Sequence, residues 1–329
     1  MNRYDIRNPF TKLQPPMNDA SDDERSNRLA NVLGDTVAHA ANEALILARL
    51  EEFLDPKPPQ IAHTKEDEDD LNKNIDKLIL AYGGPPRLVI LADSDPKPTY
   101  DTYLSAAIDE AIHCFKRSRN SLCRAKAFLI GKHYLDTRPD ILSLYTNLNL
   151  SDAPPDVMQF FLNETQSAFW EHTETCYIRI ASYWDRVGQI LDYVFFRIRK
   201  YERDGFSSVL DRICANTLCM HSRIKDLAAW EALWSHKKSE QEEGLQWLLS
   251  RRNLLVHSLY LRPIDANDGN ELYESAFNHL DDRRREKLRV GSPEIEMNRL
   301  QLQMEAAAKL FPQVIALCLE YSQCINPTK

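Results

Sequence analysis

The residues of this chain best suited to chemistry lie close together: Arg252, Asn253 and His257, in the hexapeptide RNLLVH. Arginine carries a permanent planar cation that can fork onto a phosphate, and histidine takes and gives a proton near neutrality. Together they can hold the negative charge of a phosphorane and move the protons of an in-line displacement without a metal ion. With a 2′-hydroxyl as nucleophile the substrate is RNA and not DNA, and the products carry 2′,3′-cyclic phosphate and 5′-hydroxyl ends.

The hexapeptide lies in an amphipathic stretch whose pattern predicts a helix from about Glu240 to Tyr260, ended by Pro263. On an ideal helix Arg252 and His257 stand roughly 140° apart, whereas Asn253 and His257, at i and i+4, share a face. Asn253 can therefore orient the imidazole. The long Arg252 side chain can swing to the same phosphate, most readily where two copies of the helix meet across a two-fold axis. Arg251 doubles the arginine, so both are candidates for the phosphate contact. Such spacing also arises by chance, and the plain alternatives are a core-edge histidine at 257 and a solvated helix charge at 252.

The elements that must position this motif are read from periodicity. An amphipathic helix is expected from Ser21 or Asp22 to just before Pro56, with Leu29, Val32, Leu33, Val37, Ala40, Ala44 and Leu47 as its apolar stripe. A second runs from about Glu66 to Tyr82, its acidic EDEDD start complementing the helix dipole. The apolar run Leu88 to Ala92, an isolated strand or a buried linker, marks the expected boundary between an N-terminal helical extension, 1–95, and an α-helical domain, 96–329. Within the latter come helices at Tyr100 to Phe128, Pro139 to Leu148 and a long aromatic one from Asp156 to about Arg203. Shorter helices follow at Phe206 to His221 and Ile224 to Trp234, then the motif helix and a last one from Glu294 to about Cys324, bent near Pro312. Asp185 and Arg186, in the aromatic helix, read as a polar contact to the motif helix or as an ordinary surface pair.

Composition narrows the class. Nine glycines among 329 residues leave few of the tight turns that hairpins and phosphate-cradling loops need, so the fold class is all-α, a helical bundle. A net charge of −8 speaks against coating nucleic acid through the overall field but leaves room for a local basic groove. The seven cysteines form no CxxC pair and read as reduced thiols among apolar residues. His221, His236 and His279 show no ligand spacing, no metal site and no cofactor are expected, and nucleotide-hydrolase, serine-hydrolase, zinc-protease and dinucleotide motifs are missing. No apolar run approaches the roughly 20 residues of a membrane span, and the start lacks a secretory core, so a cytoplasmic location is expected. Basic patches that could track RNA are Lys116 to Lys126, Arg283 to Arg289 and, best placed, Arg197, Arg199, Lys200 and Tyr201, where an aromatic ring can stack a base.

RNLLVH on a late helix of an all-α chain, with the aromatic helix ASYWDRVGQILDYVFF upstream, resembles the HEPN superfamily of ribonuclease domains, whose hallmark is Arg, a polar residue, three further residues and His. The architecture covers about the last two thirds of the chain, while the six-residue motif alone is specific. The resemblance implies a homodimer with the two motifs facing one another in a cleft. It implies metal-independent RNA cleavage with Arg252, Asn253 and His257 as the site, commonly in a toxin or antiviral effector held by an antitoxin or regulatory protein. The family also contains non-catalytic members, so the alternative is a helical module that binds a nucleotide, RNA or protein in the same groove.

Overall fold

The computed structural model describes residues 22–82, 87–89, 97–99, 102–145, 153–199, 205–217, 222–257 and 290–325. The described residues are mostly helical: α1 Asp22–Phe53, α2 Lys65–Tyr82, α3 Tyr103–Thr137, α4 Pro139–Tyr145, α5 Pro155–Phe196, α6 Phe206–Asn216, α7 Ser222–Lys225, α8 Ala228–Lys238, α9 Leu245–His257 and α10 Pro293–Ile325. Two three-residue strands, Arg87–Val89 and Lys97–Thr99, pair antiparallel with Leu88 opposite Pro98, so the apolar run after α2 begins as a strand.

The chain divides into two compact units, and the division does not fall at residue 95. One comprises 1–57 with 123–171, the other 58–122 with 172–329, so α3 and α5 each run through both. In the first, Leu47, Leu54 and Cys123 form a small buried cluster, and Lys126 Nζ donates to the Pro56 carbonyl at 2.7 Å. The stripe expected to bury α1 is largely uncovered: Leu29, Val32, Leu33 and Val37 are all more than half exposed, and of the described stripe only Leu47 is buried. Periodicity identifies an apolar face but cannot say what covers it.

The second unit holds the core. α2 starts with a reciprocal cap, Thr64 N–H donating to Asp67 Oδ2 at 2.9 Å and Asp67 N–H to Thr64 Oγ1 at 3.0 Å, which assigns the acidic run to a helix start. α10 packs against α2, α7 and α8. By length and composition α10 alone among the described helices could cross a membrane, which revises the reading that no such stretch exists. Its apolar residues, including Leu300, Met304, Phe311, Val314 and Leu317, are buried in the protein, as in the core helix of a globular unit. α10 lies along α5, where Tyr183 Oη donates to the Ala307 carbonyl at 3.1 Å and Phe195 stacks on Tyr321 at 4.1 Å.

α5 and α6 approach closely because α5 carries Gly188: a Cβ there would stand 2.8 Å from the Phe206 backbone nitrogen. The helix expected at Ile224 to Trp234 is instead two, broken at Asp226 and Leu227, which lets Ile224 and the Trp230 and Leu233 pair all be buried. α8 brings His236 onto Trp184, ring centroids 4.5 Å apart, and Trp184 also meets Phe206 at 4.8 Å.

Burial pushes His236 down to about 4. The folded state thus keeps the ring neutral while the unfolded chain takes up a proton near 6.5, so this stability is complete above pH 6.5 and is lost as pH falls toward 4. The loss amounts to about 3 kcal/mol. We predict that urea unfolding free energies will fall over that window and that His236→Phe will flatten the decline; an unchanged pH profile in the variant would contradict this assignment.

Candidate functional site

The two adjacent arginines of the motif have different fates. Arg251 is wholly buried and paired with Glu296, itself wholly buried on α10. Glu296 Oε1 also accepts from Arg299 Nη1 at 2.7 Å and from the Gly291 N–H at 2.9 Å, while Oε2 accepts from Tyr177 Oη at 2.8 Å. Arg299 Nε in turn donates to Glu242 at 2.7 Å. The Arg251 guanidinium lies 5.3 Å from the Trp247 ring centroid and 5.9 Å from that of Tyr177. Burial, and after it the Glu296 charge, holds the Tyr177 phenol well above its ordinary range, so it stays a donor. The cluster locks α9 onto α5 and α10.

This replaces the expectation that Arg251 contacts RNA. A guanidinium with no exposed surface, engaged by a buried carboxylate, has nothing to offer a phosphate. The signal for it in the sequence is Glu296, a carboxylate in step with the apolar Met297, Leu300 and Met304 of the last helix. The cation it serves stands 45 residues earlier.

Fixing Arg251 inward sets the rotation of α9. Trp247, Leu248 and Leu254 share its buried face. At about 100° per residue, position 252 then turns to the flank and positions 253 and 256 turn outward. Arg252 is half-buried, Asn253 is exposed and Val256 is 48% exposed, an apolar residue amid the motif. Position 257 is the last of α9, on the same outer half as Ser250 and Asn253 by helix geometry; the His257 side chain lies outside the described residues.

Arg252 Nη1 donates to Asn253 Oδ1 at 3.1 Å. Packing strips solvation from the Asp185 carboxyl of α5 and raises it, while the charges of Arg252 and then Arg186 pull it back down. The side chain nonetheless keeps an exposed edge. The Arg252 charge thus acts on Asp185 of the aromatic helix through space, while Arg186 donates to Gln189 at 3.2 Å and lies 3.7 Å from Glu110.

Of the basic patches, Arg197 and Arg199 are exposed at the end of α5, and Lys200 and Tyr201 lie outside the described residues. In the 116–126 patch, Arg119 Nε is spent on the Pro59 carbonyl at 3.0 Å and Lys126 is buried. Arg283 to Arg289 lie outside the described residues, as do His221 and His279. A shallow cavity of about 350 Å³ beside the start of α9 is rimmed by Glu240, Glu242 and Glu243 with Trp247 and Arg299, a lining whose carboxylates repel phosphate.

Comparison with protein-family models, curated proteins and solved structures found no match to this chain.

The two arginines predict opposite phenotypes. Glu296→Ala should lower unfolding free energy by about 3–5 kcal/mol by stranding buried cations, and the paired change Arg251→Met with Glu296→Leu should recover much of it. Arg252→Ala should stay within about 0.5 kcal/mol of wild type. Equal destabilisation by substitutions at 251 and 252, measured by denaturant titration, would refute this division of labour.

Proposed function

We propose that the chain is a metal-independent endoribonuclease with a HEPN-like site formed by Arg252, Asn253 and His257, acting as a homodimer, in the setting of a toxin or antiviral effector. The observation that carries this reading is the outward setting of the motif: Arg252 and Asn253 stand at the surface of α9 while their neighbour Arg251 is spent inside. Exposed Val256 between them supplies an apolar contact for a second α9, the pairing that puts two motifs on one RNA strand.

In the reaction so inferred, the RNA 2′-oxygen attacks the adjacent phosphorus as His257 accepts the 2′-hydroxyl proton. The P–O5′ bond then breaks, and a proton is delivered to the leaving 5′-oxygen, so that His257 ends as it began if it also serves as the acid. Arg252 holds the charge that builds on the non-bridging oxygens. The Arg252 charge also acts on the Asp185 carboxyl of α5.

A second reading, a non-catalytic RNA-binding module, is favoured by the same Asp185, which offsets part of the Arg252 charge where a phosphorane would need it. The two readings separate in one experiment. The nuclease is expected to cut a mixed RNA pool in EDTA, leaving 2′,3′-cyclic phosphate ends, and His257→Ala or Arg252→Ala should slow this by about 100-fold or more. RNA bound but left intact by the wild type would reject the nuclease in favour of the binding module.

A further inference from the structure

α5 ends in an unusual way. Arg197 adopts φ 58°, the left-handed conformation that glycine takes at little cost and other residues take against steric resistance. Its N–H donates to the Tyr193 carbonyl at 3.0 Å and the next N–H, of Ile198, to Asp192 at 3.3 Å, so the chain turns sharply off the helix. A glycine would make this turn with less strain, and what arginine adds is its guanidinium. Strained backbone of this kind concentrates where a side chain must be aimed.

The side chain is aimed at an aromatic floor. The Arg197 guanidinium carbon lies 4.3 Å from the Tyr82 ring centroid and 5.5 Å from that of Tyr193. Arg199 lies 5.5 Å from Tyr193 and 5.7 Å from Tyr103. The Tyr103 and Tyr193 rings are 4.9 Å apart, those of Tyr82 and Tyr193 6.3 Å, and Tyr82 and Tyr193 are buried, so the floor is rigid. Both arginines are exposed, and among the described residues no carboxylate is paired with Arg197. A guanidinium backed by a ring keeps its planar edge of N–H donors for a phosphate.

We propose that Arg197 and Arg199, stacked on Tyr82, Tyr193 and Tyr103, form a docking platform for the backbone of single-stranded RNA, holding the strand that is cut at α9. Calling it the substrate's platform rests on the nuclease reading; the binding itself does not. A chain with net charge −8 cannot hold a polyanion through its overall field, so a local cationic platform is what affinity requires. The platform stands at the end of the helix that carries Asp185, about 17 Å further along the axis. Gly205 lies against Asp185, its Cβ position 2.8 Å from Oδ1.

The test uses the full chain and a labelled single-stranded oligoribonucleotide with 2′-O-methyl groups, which cannot be cleaved, read by fluorescence anisotropy across a salt series. Arg197→Gln with Arg199→Gln should weaken binding about tenfold and reduce the slope of log affinity against log salt by about 1.4, two phosphate contacts' worth. Arg197→Gly, which relieves the backbone and so guards against misfolding, should reduce the slope by about 0.7. Unchanged affinity and slope in both variants would overturn the platform, whatever the cleavage assay shows. Equal platform-dependent binding of an acidic peptide would overturn the assignment to RNA. Platform-dependent binding by a wild type that cuts nothing would remove the nuclease and leave the platform standing.

Discussion

The buried ion pair between Arg251 and Glu296 is the constraint on which the motif helix depends. Taking two charges out of water is costly, and the cost is met only where geometry and extra hydrogen bonds compensate. Here Glu296 collects donors from Arg251, Arg299, Tyr177 and the Gly291 backbone, so α5, α9, α10 and the segment leading into α10 are bound to one carboxylate. An apolar side chain in the same place would hold α9 in the core as well, but it would tolerate a small rotation. A hydrogen-bonded charge does not, and rotation decides which arginine of the Arg251 and Arg252 pair reaches the surface.

From that constraint the polarity of α9 follows. Its inner face is Trp247, Leu248, Arg251 and Leu254, and its outer half carries Arg252, Asn253, Val256 and position 257. The Arg252 charge acts on Asp185 of α5, the helix that ends in the Arg197 and Arg199 stack. One long helix thereby links the proposed chemistry to the proposed grip on the strand.

Much of this was legible in the residues. The acidic first turn marked the start of α2, and the aromatic periodicity marked the long helix α5, although its end, expected near Arg203, lies at Phe196. What was not legible depends on partners distant in sequence. Glu296 stands in step with apolar residues, but its partner Arg251 lies 45 residues away, and the apolar stripe of α1 does not show what lies opposite it. The compact units are likewise invisible to a linear reading, since α3 and α5 pass through both without a break in composition. The turn at Arg197 was missed for a different reason: its conformation is one that sequence rules reserve for glycine.

The claim that α9 is rotationally fixed with Arg251 inside and Arg252 outside is tested most directly by modifying the native protein with phenylglyoxal, a guanidinium reagent, and locating the adducts by tandem mass spectrometry. The account predicts rapid modification at Arg252 and protection of Arg251 until the protein is unfolded by denaturant. Modification of both at similar rates, or of Arg251 first, would contradict it.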